Sequence, residues 1–203
     1  MTDRRGALAS LILLVGCAGG SDPDPDALHG YRLPSATPRP EFALTTVAGD
    51  GFDFAEATKG RLTLLFFGYT NCPDVCPATM ANLGAVLGKL TGEERRRIDV
   101  VFVTTDPDRD RPEVLGPWLA RFDRDFVGLV GSIDEVIAAQ RASGIEAAVK
   151  DGEGEGYTVS HAAQVIVVSP DDSVHLHYPF GTRQAEWASD VPRLLRSFGG
   201  SAR

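Results

Sequence analysis

The 203-residue sequence predicts an α/β fold, with a central mixed sheet flanked by helices and entered through an N-terminal β-hairpin. Three observations carry that expectation. Residues 62–67 (LTLLFF) and 98–103 (IDVVFV) are nearly continuous apolar runs, the signature of strands buried on both faces. Apolar residues at helical spacing follow each run. Late in the chain, residues 163–168 and 174–178 flank Pro170-Asp171-Asp172 and read as an antiparallel pair.

The elements follow in order. Residues 42–47 and 52–54 surround Gly49-Asp50-Gly51, a hairpin with a Gly-flanked turn. The strand at 62–67 is broken by Gly68-Tyr69-Thr70-Asn71. A helix comes next, with Met80, Leu83, Leu87 and Leu90 on one face, Pro77 in its first turn and Gly92 past its end. After the strand at 98–103, Val114, Leu115, Trp118, Leu119 and Phe122 mark a second helix, with Trp118 inside or half-buried. Residues 126–130 form a short strand. Ser132 caps a third helix carrying Ile133, Val136 and Ile137, and Gly144 closes it. Residues 145–149 are extended, 150–156 (KDGEGEG) are a flexible loop, and 186–198 are a last helix holding Trp187, with Leu194, Leu195 and Phe198 inward.

The ends read differently. Residues 1–16 start basic and continue into a compact apolar stretch, too short for a bilayer and suited to a signal peptide. Leu14-Val15-Gly16-Cys17 resembles the lipobox of bacterial lipoproteins, which implies cleavage before Cys17 and lipid on its sulfur. The competing reading is a secretory peptide with an incidental Cys. Residues 17–40 then form a Pro-rich tether, in which His29 is a solvated bystander. Residues 41–198 form the folded domain and 199–203 a tail.

Charge narrows the function. Lys+Arg 20 against Asp+Glu 28 gives a net charge of −8, which argues against nucleic acid as a partner. No apolar run approaches the roughly 20 residues of a membrane span.

The chemistry sits in Cys72-Pro73-Asp74-Val75-Cys76-Pro77. Two Cys follow a buried strand and open a helix, whose free N–H groups and partial positive charge favour thiolate. Residues at i and i+4 share a helical face, so both sulfurs reach one point. A structural disulfide is the plain alternative, credible in an exported protein. The sheet's carboxyl edge, where α/β proteins bind ligands, weighs against it. The strand–Cys–helix order and the late antiparallel pair resemble a thioredoxin fold. Thioredoxins carry C-x-x-C here and a cis-proline opposite it. This chain has one residue more between its Cys, and His161 in the stretch matching the proline. Two thiolates and an imidazole suit Cu(I) and help accept Cu(II), with zinc as the chemical competitor.

Residues 67–77 (FGYTNCPDVCP) closely resemble the signature of the Sco/SenC copper proteins, 104–110 (TTDPDRD) that family's second stretch, and 157–161 (YTVSH) its third. The resemblance spans roughly residues 40–198 in the right order. It implies a membrane-tethered thioredoxin-like domain in the bacterial cell envelope, facing the periplasm or extracytoplasmic space. It also implies copper held by Cys72, Cys76 and His161. The partner so implied is the copper-site subunit of cytochrome c oxidase, with a thiol reductase and another copper donor acting upstream. Many relatives have Asp immediately before the His, where this chain has Ser160; a carboxylate there would orient the loop or tune the metal.

A second reading uses Cys72 and Cys76 as a redox pair in a thiol–disulfide oxidoreductase, and His161 discriminates the two. A third is a lipid-anchored interaction module with a structural disulfide. Asp74 is either a partner contact or a solvated first-turn acid. Asp106, Asp108, Asp110 and Arg109 read as a salt-bridged loop ahead of a hard-metal cluster. His175 and His177 alternate along one strand, which raises a second metal site.

Overall fold

A computed structural model describes residues 27–154 and 156–198. The expected signal peptide, Cys17, the first half of the tether and the tail lie outside the described residues. The strands are β1 (Tyr31–Pro38), β2 (Ala43–Thr46), β3 (Gly51–Asp53), β4 (Leu62–Gly68), β5 (Ile98–Thr104) and β6 (Val127–Val130) in the first two thirds. Later come β7 (Val149–Asp151), β8 (Thr158–Ser160), β9 (Val165–Ser169) and β10 (Ser173–Tyr178). The helices are α1 (Phe54–Ala57), α2 (Val75–Leu87), α3 (Gly92–Arg95), α4 (Pro112–Leu119), α5 (Ile133–Ala142) and α6 (Gln184–Ser197).

Eight strands form one mixed sheet in the order β1-β10-β9-β4-β5-β6-β2-β3. The continuous apolar run of β4 is explained by its place: parallel to β5, antiparallel to β9, and buried along its whole length. Alternate residues of β4 face two cores. Leu62, Leu64 and Phe66 pack with α2, α4 and α6; Leu65 and Phe67 pack with Phe54 of α1 and with α5. The unit β4-α2-β5 followed by β9-β10-α6 gives the thioredoxin-like arrangement, with α4, β6 and α5 inserted between its halves. Trp118 and Trp187 are core residues, and Ser132 caps α5 through a capping box with Glu135.

The folded part begins earlier than residue 41. Residues 31–38, expected within the tether, form β1 along β10. An edge strand accommodates Pro34 and Pro38 because one of its sides needs no donors. Arg39 then pins the segment: its guanidinium, almost fully buried, pairs with Asp172 and donates to Thr58 Oγ1 and the Ser169 carbonyl. His29 is likewise no bystander. Its backbone N–H and Nδ1 lie 2.6 and 3.0 Å from the carboxylate of Asp190, a fully buried acid that Tyr178 also donates to.

The stretch at 150–156 is the turn of a ribbon. Strands β7 and β8 pair only with each other, apart from the main sheet.

Candidate metal centre

Cys72 and Cys76 sit where β4 hands over to α2. Gly68 ends the strand, and Tyr69 to Asp74 turn the chain into the first helical turn. The loop is held from the neighbouring strand. Asp110, fully buried, accepts from the Thr70 N–H and Oγ1 and from Thr104 Oγ1. Burial of that carboxyl raises its pKa, and the three donors oppose the rise.

The Cys76 N–H points at Cys72 Sγ, 3.4 Å away. The Cys72 thiol is pulled well below the ordinary range, first by the Cys76 S–H bonding to its sulfur, then by the N–H groups of Cys76 and Asp74, with burial opposing. The Cys76 thiol is pushed up, by donating that bond and by its complete burial. Two sulfurs therefore share one proton readily, and Cys72 is the thiolate of the pair. No disulfide joins Cys72 and Cys76 in this arrangement.

His161 arrives from the far side, immediately after β8. Its Nδ1 lies 3.1 Å from the Ala162 carbonyl and donates to it, which leaves the Nε2 lone pair facing Cys76 Sγ at 3.6 Å. The rings of Tyr69 and Phe66 meet the imidazole edge to face, at 5.7 and 6.0 Å between centroids. The donor atoms of Cys72, Cys76 and His161 all lie within 4.8 Å of one another. Among the described residues, these three are the cluster of His, Cys, Asp or Glu gathered closely enough to hold a metal ion. Two soft sulfurs and one imidazole fit a soft cation, and no carboxylate joins them.

The other candidates fall away from the centre. Asp74 precedes α2 with an exposed side chain that makes no cap bond. Asp106 pairs with Arg109 and accepts from Tyr157 Oη, so the loop at 104–110 is the salt-bridged one expected. His175 and His177 do not converge. A β-bulge between Val174 and Leu176 turns these two residues to opposite cores. His175 stacks on Phe198 and pairs with Asp171, while His177 lies against Tyr31 and Gln164. Exposed Ser160 lines a cleft of about 420 Å³ with Glu146, His161 and Gln164.

Gly68 is a site residue that the spacing of Cys and His did not reveal. A Cβ there would stand 2.8 Å from Cys76 Sγ. Its signal was the abrupt end of an apolar run at a glycine.

The sequence matches the SCO1/SenC family model over residues 32–196. This chain belongs to the SCO1/SenC family. A Stutzerimonas stutzeri protein named for copper binding is 35% identical over 153 residues, 75% of this chain and 74% of that relative. Mitochondrial SCO1 of Saccharomyces cerevisiae is 30% identical over 148 residues, 72% of this chain. The match spans about half of that yeast protein, 49% of its length. Among solved structures, apo Sco1 of Thermus thermophilus aligns at a TM-score of 0.74 and 34% identity, over 83% of this chain and 98% of its own. Copper-bound ScoI of Bradyrhizobium japonicum aligns at 0.69 and 30%, over 78% and 100%. Sco neighbours extend the thioredoxin-like architecture described above.

Proposed function

We propose that this SCO1/SenC domain binds one copper ion through Cys72, Cys76 and His161 and delivers it to the dinuclear copper site of cytochrome c oxidase. Lipid on Cys17 would hold the domain at a bacterial membrane, on its extracytoplasmic side. The observation that carries the reading is the convergence of the three donor atoms within 4.8 Å. Copper-bound structures of the Bradyrhizobium and yeast relatives support the choice of metal over zinc.

The residues divide the work. Cys72, whose thiol pKa is lowered first by the bond from Cys76, gives up its proton the more easily of the two. Cys76 releases its proton as the cation arrives, since a coordinated sulfur must be deprotonated. The neutral imidazole of His161 presents Nε2, with the Ala162 carbonyl fixing the ring. The cation is cargo, so it must also leave. Three donors leave room for a ligand from the acceptor to enter before the last sulfur lets go. Burial of Cys76 beneath Tyr69, Phe66 and Phe102 keeps water from competing.

The depressed thiol of Cys72 also favours a second reading, a dithiol that reduces cysteines of a partner protein. Anaerobic copper titration against competing chelators separates the two. Reduced protein should bind Cu(I) tightly and its disulfide form hardly at all. His161→Ala should lose Cu(II) binding while keeping disulfide-exchange kinetics. Equal affinity in the two redox states would overturn the three-ligand site and leave the dithiol reading standing.

A further inference from the structure

The ribbon β7–β8 that delivers His161 has no hydrogen bond to the main sheet. Two short strands alone are marginal in water, so the ribbon's position is set by what it docks on. Val159 of β8 is buried in the main core with its backbone hydrogen-bonded to Tyr69, and a second set of contacts gathers on Tyr157, four residues before His161. The Arg109 guanidinium lies 3.5 Å from the centroid of the Tyr157 ring, and Lys150 Nζ lies 3.8 Å from it. Arg109 Nη1 donates to the Tyr157 carbonyl at 3.0 Å. Tyr157 Oη donates to Asp106 Oδ1 at 2.6 Å, and the same carboxylate pairs with Arg109. Arg109 also approaches the face of Tyr69, whose ring supports the imidazole. Ring, carbonyl and carboxylate thus bind one guanidinium, and the planar fork of Arg can serve all three at once.

We infer that Arg109 is a positioning residue for His161, acting through Tyr157 to hold the imidazole over the two sulfurs. The inference rests on the copper reading of the site. Its consequence is selective. Two thiolates hold Cu(I) by themselves, whereas Cu(II) needs the imidazole. Loosening the ribbon therefore costs Cu(II) affinity and largely spares Cu(I). Lys150 on the other strand of the ribbon completes the contact, so the ring ties β7 and β8 to the loop between β5 and α4 together.

The test is a double-variant cycle on the full-length protein with Arg109→Gln, His161→Ala and the pair. Arg109→Gln should weaken Cu(II) binding about tenfold to a hundredfold, the range for residues that orient a ligand. In the His161→Ala background the same change should do nothing further, because there is no imidazole left to position. Arg109→Lys should recover part of the loss, since it keeps the cation over the ring without the fork. Tyr157→Phe, which keeps the ring and loses only the bond to Asp106, guards against a fold defect and should move in the same direction by less. Equal losses for Cu(I) and Cu(II), or losses that add in the double variant, would overturn the inference. Hydrogen exchange of the metal-free protein supplies a readout independent of copper. The Val159 and Ser160 amides should exchange faster in Arg109→Gln, and unchanged exchange would refute the tether. Should wild-type protein bind no copper, the metal reading falls, and exchange alone judges the role of Arg109.

Discussion

Replacing Gly68 by Ala should damage stability and metal binding together. A Cβ at this position would stand 2.7 Å from Phe66 Cε1, 2.8 Å from Cys76 Sγ and 3.2 Å from Phe102 Cε2. None of the three residues has solvent to retreat into, since each is fully buried. Non-bonded heavy atoms rest at roughly 3.5 Å or more, so the sulfur would have to yield about 0.7 Å. A binding constellation tolerates displacements of only about 0.5 Å. Overpacking of this kind costs about 1–3 kcal/mol. With a urea dependence of about 2 kcal/mol/M, the unfolding midpoint should fall by about 1 M. Copper affinity, measured by Cu(I) competition well below that midpoint, should fall as well, because the sulfur that moves is one of the three proposed ligands. Gly116→Ala is the control. Its Cβ would meet Val47 at an ordinary 3.6 Å, and a helix prefers Ala to Gly by up to about 1 kcal/mol. An unchanged midpoint and unchanged affinity in Gly68→Ala would refute the packing of Cys76 against the end of β4.

The thiol pair makes a pH-dependent prediction. The reactive species is the thiolate, and the Cys72 pKa is lowered, so alkylation of reduced protein should strike Cys72 first and hold its rate as pH falls below about 8.5, where the rate of a free thiol declines about tenfold per pH unit. A rate that tracks an ordinary thiol would contradict the bonds that Cys72 Sγ accepts from the Cys76 thiol and from the N–H groups at the helix head. The anchor makes another. Cys17→Ser should block lipidation and leave unprocessed precursor with the fold intact, read by mass spectrometry and membrane fractionation; normal processing with release from the membrane would indicate an ordinary secretory peptide.

Much of the site was legible in the sequence because its chemistry is written in local patterns. A buried strand followed by two Cys at i and i+4 places both sulfurs at a helix head, and periodicity alone located β4, α2 and β5. His161 was legible only in combination, as an imidazole where a thioredoxin has its proline. Patterns of period two misled at β10. The bulge after Val174 reverses the alternation, so His175 and His177 part company although the strand reads as regular. Residues 31–38 were illegible as a strand because their composition is that of a linker. An edge strand draws its stability from the neighbour it pairs with and from Arg39 beyond it, neither of which leaves a local trace.

What the sequence by itself determined is therefore the β2–β3 hairpin, the succession of β4, α2, β5, α4, β6, α5, β9, β10 and α6, and the two cysteines at the helix head with the class of cation such sulfurs suit. These follow from residue type and spacing within a few positions of one another. Only the tertiary structure decided that His161 reaches Cys76 at 3.6 Å, that Gly68 leaves space for that sulfur, and that Arg109 grips the ribbon carrying the imidazole. Those contacts join residues up to 85 positions apart. Their energies depend on burial and distance, which no window along the chain contains.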